Sequence, residues 1–441
     1  MGVETGGYSA RLGAFSIHGA IPTKTIFGLD ILKKEDYSIL SRVIRFCEST
    51  IMRLPIRSVE LFTGAGGLAL GLEKVGCHHL AMVEFNAQAC DTIRHNMEHR
   101  QSLAKDWTLY QSDVRAIEYN NIVQSVELVA GGPPCQPFSM GGKARGRMDS
   151  RDMFPEAVRA VRELCPRYFV FENVKGLLRE GFASYFNYII LQLSFPTVIR
   201  REKEDWIEHL SRLEKIQTSG HHPELAYRVV YRLLDAANYG VPQHRHRVFI
   251  VGFRSDLGVE WNFPRATHNL DRLLWEQWVT GEYWDFHKVA KASRPIMPQS
   301  VARRVDSLRS NFTLLSPQGL RYQTVRDAIA GLPDPRTRNN IPNHEFRDGA
   351  RPYPGHTGSA LDEPSKALKA GAHGVPGGEN MIAFPNGSFR YYTAREAARI
   401  QTFPDDYVFK SAWTESMRQI GNAVPMRLAE VVGQSIVNQA I

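Results

Sequence analysis

The stretch Ser58-Val59-Glu60-Leu61-Phe62-Thr63-Gly64-Ala65-Gly66-Gly67 decides the fold. An apolar run ends in a glycine turn, and a helix is expected to open at about Leu68. Strand, glycine turn and helix in that order read as the first unit of an α/β sheet. Gly64-Ala65-Gly66-Gly67-Leu68-Ala69 fits a loose dinucleotide fingerprint, and Glu84 lies at about the distance expected of a ribose-binding acid. From these residues alone a nicotinamide-dependent dehydrogenase is a fair reading.

Outward from the turn the alternation continues. Further strands are expected at His79–Glu84, Thr108–Gln111, Glu127–Ala130, Tyr168–Glu172, Tyr227–Leu234 and Val248–Phe253. Helices are expected at Leu68–Val75, Ala87–Asn96, Met153–Leu164 and Tyr185–Leu193. The pattern implies a mainly parallel sheet with helices on both faces, where ligands sit beyond the strand C-termini. The glycine turn, Glu84, Asp113, Cys135 and Glu172 all fall just there.

Cys135 stands in Gly131-Gly132-Pro133-Pro134-Cys135-Gln136-Pro137-Phe138-Ser139, followed by a glycine-rich basic stretch through Arg147. Prolines keep the cysteine out of a helix, and polar neighbours deny it an apolar pocket. Such a setting suits a nucleophile covered by a closing loop. Cys47, Cys77, Cys90 and Cys165 read instead as small buried hydrophobes.

Two further motifs follow. Phe169-Val170-Phe171-Glu172-Asn173-Val174 is an apolar strand ending in an acid, and Gln243-His244-Arg245-His246-Arg247 places two arginines on one face of an extended segment. With Gly421-Asn422-Ala423-Val424-Pro425, these stretches closely resemble the ordered motifs of DNA (cytosine-5)-methyltransferases, from about Arg57 to the C-terminus. Each is a weak pattern alone; together and in this order they are highly specific.

The resemblance implies a Rossmann-like methyltransferase fold using S-adenosylmethionine. Phe62 and Phe85 would stack on adenine and Glu84 would hold the ribose. Asp113 would accept from the adenine amino group, and Val114 would line its pocket. Gly64, Gly66, Gly67 and Pro134 complete the cofactor set, with Asn422 at the methionine end. Cys135 would attack carbon 6 of a flipped-out cytosine, Glu172 would face N3 and the exocyclic amine, and Arg247 would contact O2. Arg245 would help position the site. A lid from about Phe138 to Asp152 would close over the base. In some relatives a serine on this loop fills the vacated space; the matching place here is near Gly141, which has no side chain.

The chain has 441 residues, with 54 basic and 46 acidic side chains for a formal charge of +8, which suits a polyanionic partner. Five cysteines without a CxxC pair argue against a zinc site or a disulfide framework. No apolar run is long enough to span a membrane.

Four segments are expected. Residues 1–55 form an N-terminal extension, read as an arm packed on the catalytic domain, with a DNA-contacting element as the alternative. Within it Tyr37, Leu40, Val43, Ile44 and Cys47 share one helical side. Residues 56–262 form the catalytic and cofactor-binding domain, with a polar insertion between about Phe195 and Leu225. Residues 263–392 hold three of the seven tryptophans, with Trp261 just before them, and a run of arginines (Arg294, Arg303, Arg304, Arg309, Arg321), and read as a loop-rich target-recognition domain with a basic face. Residues 393–441 return to the catalytic domain, opening on a capping box at Thr393.

The expected partner is double-stranded DNA, with a restriction endonuclease sharing the site without stable binding. The chain is expected to be a cytoplasmic monomer. A cytosine-5 methyltransferase acting on RNA would share these motifs; the large basic second domain argues for duplex DNA.

Overall fold

The computed structural model describes residues 55–99, 103–122, 125–134, 152–311, 316–354, 356–370 and 378–439. The expected N-terminal helix, Cys135 and the expected lid up to residue 151 lie outside the described residues.

Seven strands form the central sheet: β1 (Ile56–Leu61), β2 (Cys77–Glu84), β3 (Leu109–Gln111), β4 (Leu128–Gly131), β5 (Tyr168–Val174), β6 (Tyr227–Asp235) and β7 (His246–Arg254). Their order is β3-β2-β1-β4-β5-β7-β6. Neighbours from β3 to β5 pair in parallel, while β7 runs antiparallel to both β5 and β6. The expected strands are all present, with ends moved by one or two residues.

β4 and β5 read as continuous apolar runs because both their faces are covered. Alternate residues go to opposite sides, Phe169 and Phe171 into one core and Tyr168 and Val170 into the other. The first four helices are α1 (Gly67–Glu73), α2 (Ala87–Glu98), α3 (Phe154–Leu164) and α4 (Ala183–Ser194). One core takes Phe154 and Val161 of α3 with Phe186 and Ile189 of α4. The other takes Leu68 and Leu72 of α1 with residues of the C-terminal return.

The polar insertion carries α5 (Trp206–Ser219), opened by an Asp205/Glu208 capping box. Its buried side is more apolar than the charge density suggested. Leu210 and Leu213 pack with Tyr188 and Leu191 of α4.

Beyond Phe263 come β8 (His268–Asn269), α6 (Leu270–Trp278), α7 (Glu282–Phe286), α8 (Gln299–Asn311), β9 (Leu320–Arg321), α9 (Val325–Ile329), β10 (Ser359–Ala360), β11 (Met381–Ala383) and β12 (Phe389–Tyr391). Two small cores around Leu273, Tyr283 and Trp284 and around Leu274, Val305 and Leu308 hold the earlier part. Val325, Leu361, Leu368, Ile382 and Tyr392 instead share a core with Ala65, Ala69 and Leu70. Residues 263–392 are therefore not served by a single core of their own.

The arginines expected to form a basic face mostly meet carboxylates, some near in sequence and some distant. Arg294 pairs with Asp285, and Arg304 Nε lies 2.6 Å from Asp271. Arg309 lies 3.4 Å from Asp306. Arg321 binds Asp327 at 2.6 and 2.8 Å and lies 3.2 Å from Glu276. Among the described residues, Arg303 is exposed and meets no carboxylate.

The return carries α10 (Ala394–Ile400), α11 (Trp413–Asn422) and α12 (Met426–Val437). α12 lies directly on α1. A Cβ on Gly71 would stand 2.5 Å from the Ala429 Cβ and 2.6 Å from the Met426 carbonyl oxygen. Only glycine permits that backbone approach.

Candidate active site

The C-terminal ends of β1, β2, β4 and β5 build the site. At the end of β1, Phe62 adopts φ 57°, a left-handed conformation rare outside glycine, and Gly64 and Gly66 follow with φ 58° and 81°. The turn is braced from beneath. The Tyr407 hydroxyl donates to the Ala65 carbonyl at 2.8 Å, and a Cβ on Gly66 would meet the Trp107 ring at 3.2 Å. On another side, a Cβ on Gly67 would stand 2.4 Å from the Val424 carbonyl oxygen, so the turn that follows Asn422 rests on the glycine loop.

Glu84 closes β1 onto β2. Its two oxygens accept from Gly64 N and Asn86 N, each at 2.7 Å. The next residue, Phe85, is 74% exposed, a large apolar ring left facing solvent beside the turn. Asp113 caps the short helical turn that follows β3. Hydrogen bonds from Arg115 hold its carboxyl down to about 2. Val114 is buried in the main core. Asn422 is exposed at the end of α11.

These residues suit a nucleoside bearing a sulfonium-linked amino acid. An open glycine turn, an exposed ring, two carboxylates and an exposed amide lie around the C-terminal ends of three parallel strands and the turn that rests on them.

Glu172 projects from β5 and is buried. Arg247 Nε of β7 lies 2.6 Å from Glu172 Oε1, a close ion pair. The contact is off-axis, so Oε1 has no well-aligned hydrogen bond. Burial pushes the Glu172 carboxyl up, and Arg247 and Arg245 oppose that shift. Such a carboxyl is biased towards carrying a proton. The Gly131–Pro134 segment passes beside it: a Cβ on Gly132 would stand 3.6 Å from Glu172 Oε2. Asn173 Nδ2 donates to the Pro133 carbonyl at 3.1 Å, tying that segment to β5. Pro134 is exposed, and Cys135 follows outside the described residues.

Arg245 differs from its motif neighbour. It is buried, and its guanidinium donates to backbone carbonyls: Leu368 at 3.0 Å, Gly421 at 2.6 Å and Ala423 at 3.1 Å. It holds backbone together and acts on Glu172 through its charge, without a hydrogen bond to that carboxylate among the described residues. Sequence reasoning missed Tyr407, Trp107 and Asn173. Asn173 sat inside a quoted motif, whereas nothing local marks Tyr407 or Trp107. Cys165, expected to be buried, is exposed at the left-handed C-cap of α3, where φ is 45°.

The fold resembles that of a solved DNA modification methyltransferase encoded within an E. coli prophage. That likeness has a TM-score of 0.53 at 21% identity, over 87% of this chain and 99% of that one. The match to the C-5 cytosine-specific DNA methylase family spans residues 56–195 and 217–438, and the chain therefore belongs to that family. Among its relatives, the Type II methyltransferase M.Eco47II of Escherichia coli is 31% identical over 86% of this chain and 78% of its own length. M.PspPI of Psychrobacter sp. is 30% identical over 89% and 82%. The activity is DNA (cytosine-5) methylation, and the match favours neither the RNA-directed nor the dehydrogenase alternative. The family match skips 196–216, inside the stretch read as an insertion. No described helix is long and apolar enough to cross a membrane.

Proposed function

We propose that this enzyme methylates carbon 5 of a flipped-out cytosine in one specific duplex sequence, with Cys135 as nucleophile and Glu172 and Arg247 as the groups facing the base. The observation that carries this reading is the buried Glu172–Arg247 pair beside the Gly131–Pro134 segment, with Glu172 Oε1 short of an aligned partner. The target carbon is inaccessible in a stacked duplex, so the base must leave the helix.

Carbon 5 of cytosine is a poor nucleophile. The Cys135 thiolate adds to carbon 6, and Glu172 delivers a proton or hydrogen bond at N3 as negative charge develops there. Arg247 holds O2, while Arg245 fixes the strand that presents Arg247. S-adenosylmethionine, when bound, supplies an electrophilic methyl group. The carbon-5 proton then passes to solvent water, and its C–H electron pair re-forms the 5,6 double bond and expels the Cys135 thiolate by β-elimination. Phe62, Phe85, Glu84, Asp113 and Val114 hold the adenosine part, with Gly64, Gly66, Gly67 and Pro134 lining its approach and Asn422 at the amino-acid end.

The relatives' description as Type II methyltransferases supports a place in a restriction–modification system, with an endonuclease that shares the site without stable binding. We assign target recognition to residues 263–392, chiefly the part before Val325. The protein acts as a cytoplasmic, DNA-associated monomer.

Cys135→Ser tests the assignment. Methyl transfer should be abolished with S-adenosylmethionine affinity nearly intact, because all the donor's residues except Pro134 lie on other loops. Near-normal turnover would remove Cys135 from the mechanism. Bisulfite sequencing of DNA from cells expressing the wild-type enzyme gives the base and recognition sequence together.

A further inference from the structure

Below the site, four segments far apart in sequence meet through buried polar groups. Gln243 precedes β7, Gln401 follows α10, and neither is accessible to solvent. Gln243 Oε1 accepts from Leu368 N at 2.9 Å, and its Nε2 donates to Gln401 Oε1 at 3.2 Å. Gln401 Nε2 donates to the carbonyls of Ile420 (2.7 Å) and Ala423 (3.2 Å), and its own carbonyl accepts from Met426 N at 3.1 Å. The amide orientations follow from chemistry. Carbonyls can only accept and Leu368 N–H can only donate, so each glutamine has one satisfying placement.

Arg245 adds its bonds to Leu368, Gly421 and Ala423. Carbonyls at the C-terminal end of α11 and of Ala423 just beyond it, which a helix leaves unpaired, are thus satisfied by the side chains of Arg245, just before β7, and of Gln401. The guanidinium at this helix end also meets the negative end of the helix dipole. Packing is equally close: a Cβ on Gly421 would stand 2.6 Å from Ala370 N.

We infer that Gln401 is a positioning residue which, with Gln243 and Arg245, forms a buried spacer between the two reactants. One end fixes β7, where Arg247 follows Arg245 by two residues on the same face. The other fixes the turn carrying Asn422. The inference rests on the reading that Arg247 faces the base and Asn422 the methyl donor. The spacer then sets the alignment of donor methyl and cytosine carbon 5, which governs rate more than either binding step.

The test compares Gln401→Met, which keeps the volume and loses the amide, with wild-type enzyme. At saturating donor and DNA, kcat should fall roughly 10–100-fold, the scale of a misplacement near 1 Å. The affinities for S-adenosylmethionine and for DNA, measured separately, should hold. Unchanged kcat, or a lowered Tm with unchanged kcat, overturns the inference, because glue without alignment would move stability alone. Loss of either affinity in proportion to kcat also overturns it. Gln243→Met is the second variant, used if Gln401→Met does not fold. It should give the same split, and when both variants fold the double mutant should be no slower than the worse single one. Glu172→Gln, run in parallel, separates the two failures. If it stays active, the reading of the site is wrong. If it is slow while both glutamine variants are normal, only the spacer is wrong.

Discussion

Glu172–Arg247 and Glu396–Arg390 are both buried glutamate–arginine pairs, yet their oxygens are treated differently. Arg390 binds Glu396 through two parallel contacts of 2.6 and 2.7 Å. Glu396 also accepts from Thr393 N at 2.9 Å, closing the capping box of α10, so each oxygen is engaged. At Glu172 the arginine approaches off-axis and Oε1 is left short. A structural pair spends all its acceptors inside the protein. In the Glu172 pair Oε1 meets Arg247 without an aligned hydrogen bond, and burial biases the carboxyl towards the protonated form.

That contrast can be broken by mutation. The largest effect should come from Glu172→Gln, which keeps the shape and cannot deliver a proton. Turnover should fall by about 10²–10⁴ while Tm holds, and a loss of less than about threefold would make Glu172 another structural carboxylate. Glu396→Ala should do the reverse. It leaves Arg390 buried and unpaired at about 3–5 kcal/mol, read as a fall in Tm or denaturant midpoint, with activity per folded molecule preserved.

The arginines of 263–392 extend the comparison on a smaller scale. Arg321, largely buried against Asp327 and Glu276, should behave as Glu396 does, so Arg321→Ala lowers Tm and leaves the recognition sequence unchanged. Arg303 has no carboxylate among the described residues. Arg303→Ala should leave Tm alone and weaken DNA binding at every sequence, lowering the salt slope by about one if it meets a phosphate. Relaxation at one base position would instead make it a reader.

The sheet was legible because its signal is local. Apolar runs ending in glycine or an acid gave β1, β2, β4 and β5, and their order placed Glu84, Asp113 and Glu172 at one edge. The arginine partners were not legible. Asp271 lies 33 residues from Arg304 along the chain, and no local pattern announces such a meeting. Arg245 escaped for another reason. Its partners are backbone carbonyls, which every residue carries, so no sequence can mark them. The core shared by Leu361 and Tyr392 with α1 was likewise hidden in a stretch that reads as loop.

The brace under the glycine turn has a consequence for synthesis. Tyr407, which holds the Ala65 carbonyl, lies 342 residues downstream of it, and the α12 residues that seat α1 come later still. At about 5–20 residues per second, the glycine turn waits roughly 20–70 s on the ribosome before this support exists. A chain cut short before Tyr407 carries both the glycine turn and Cys135 but cannot hold the turn in shape. Competence to modify DNA thus waits until Tyr407 and α12 have been made, and a chain cut short before them is an inert fragment.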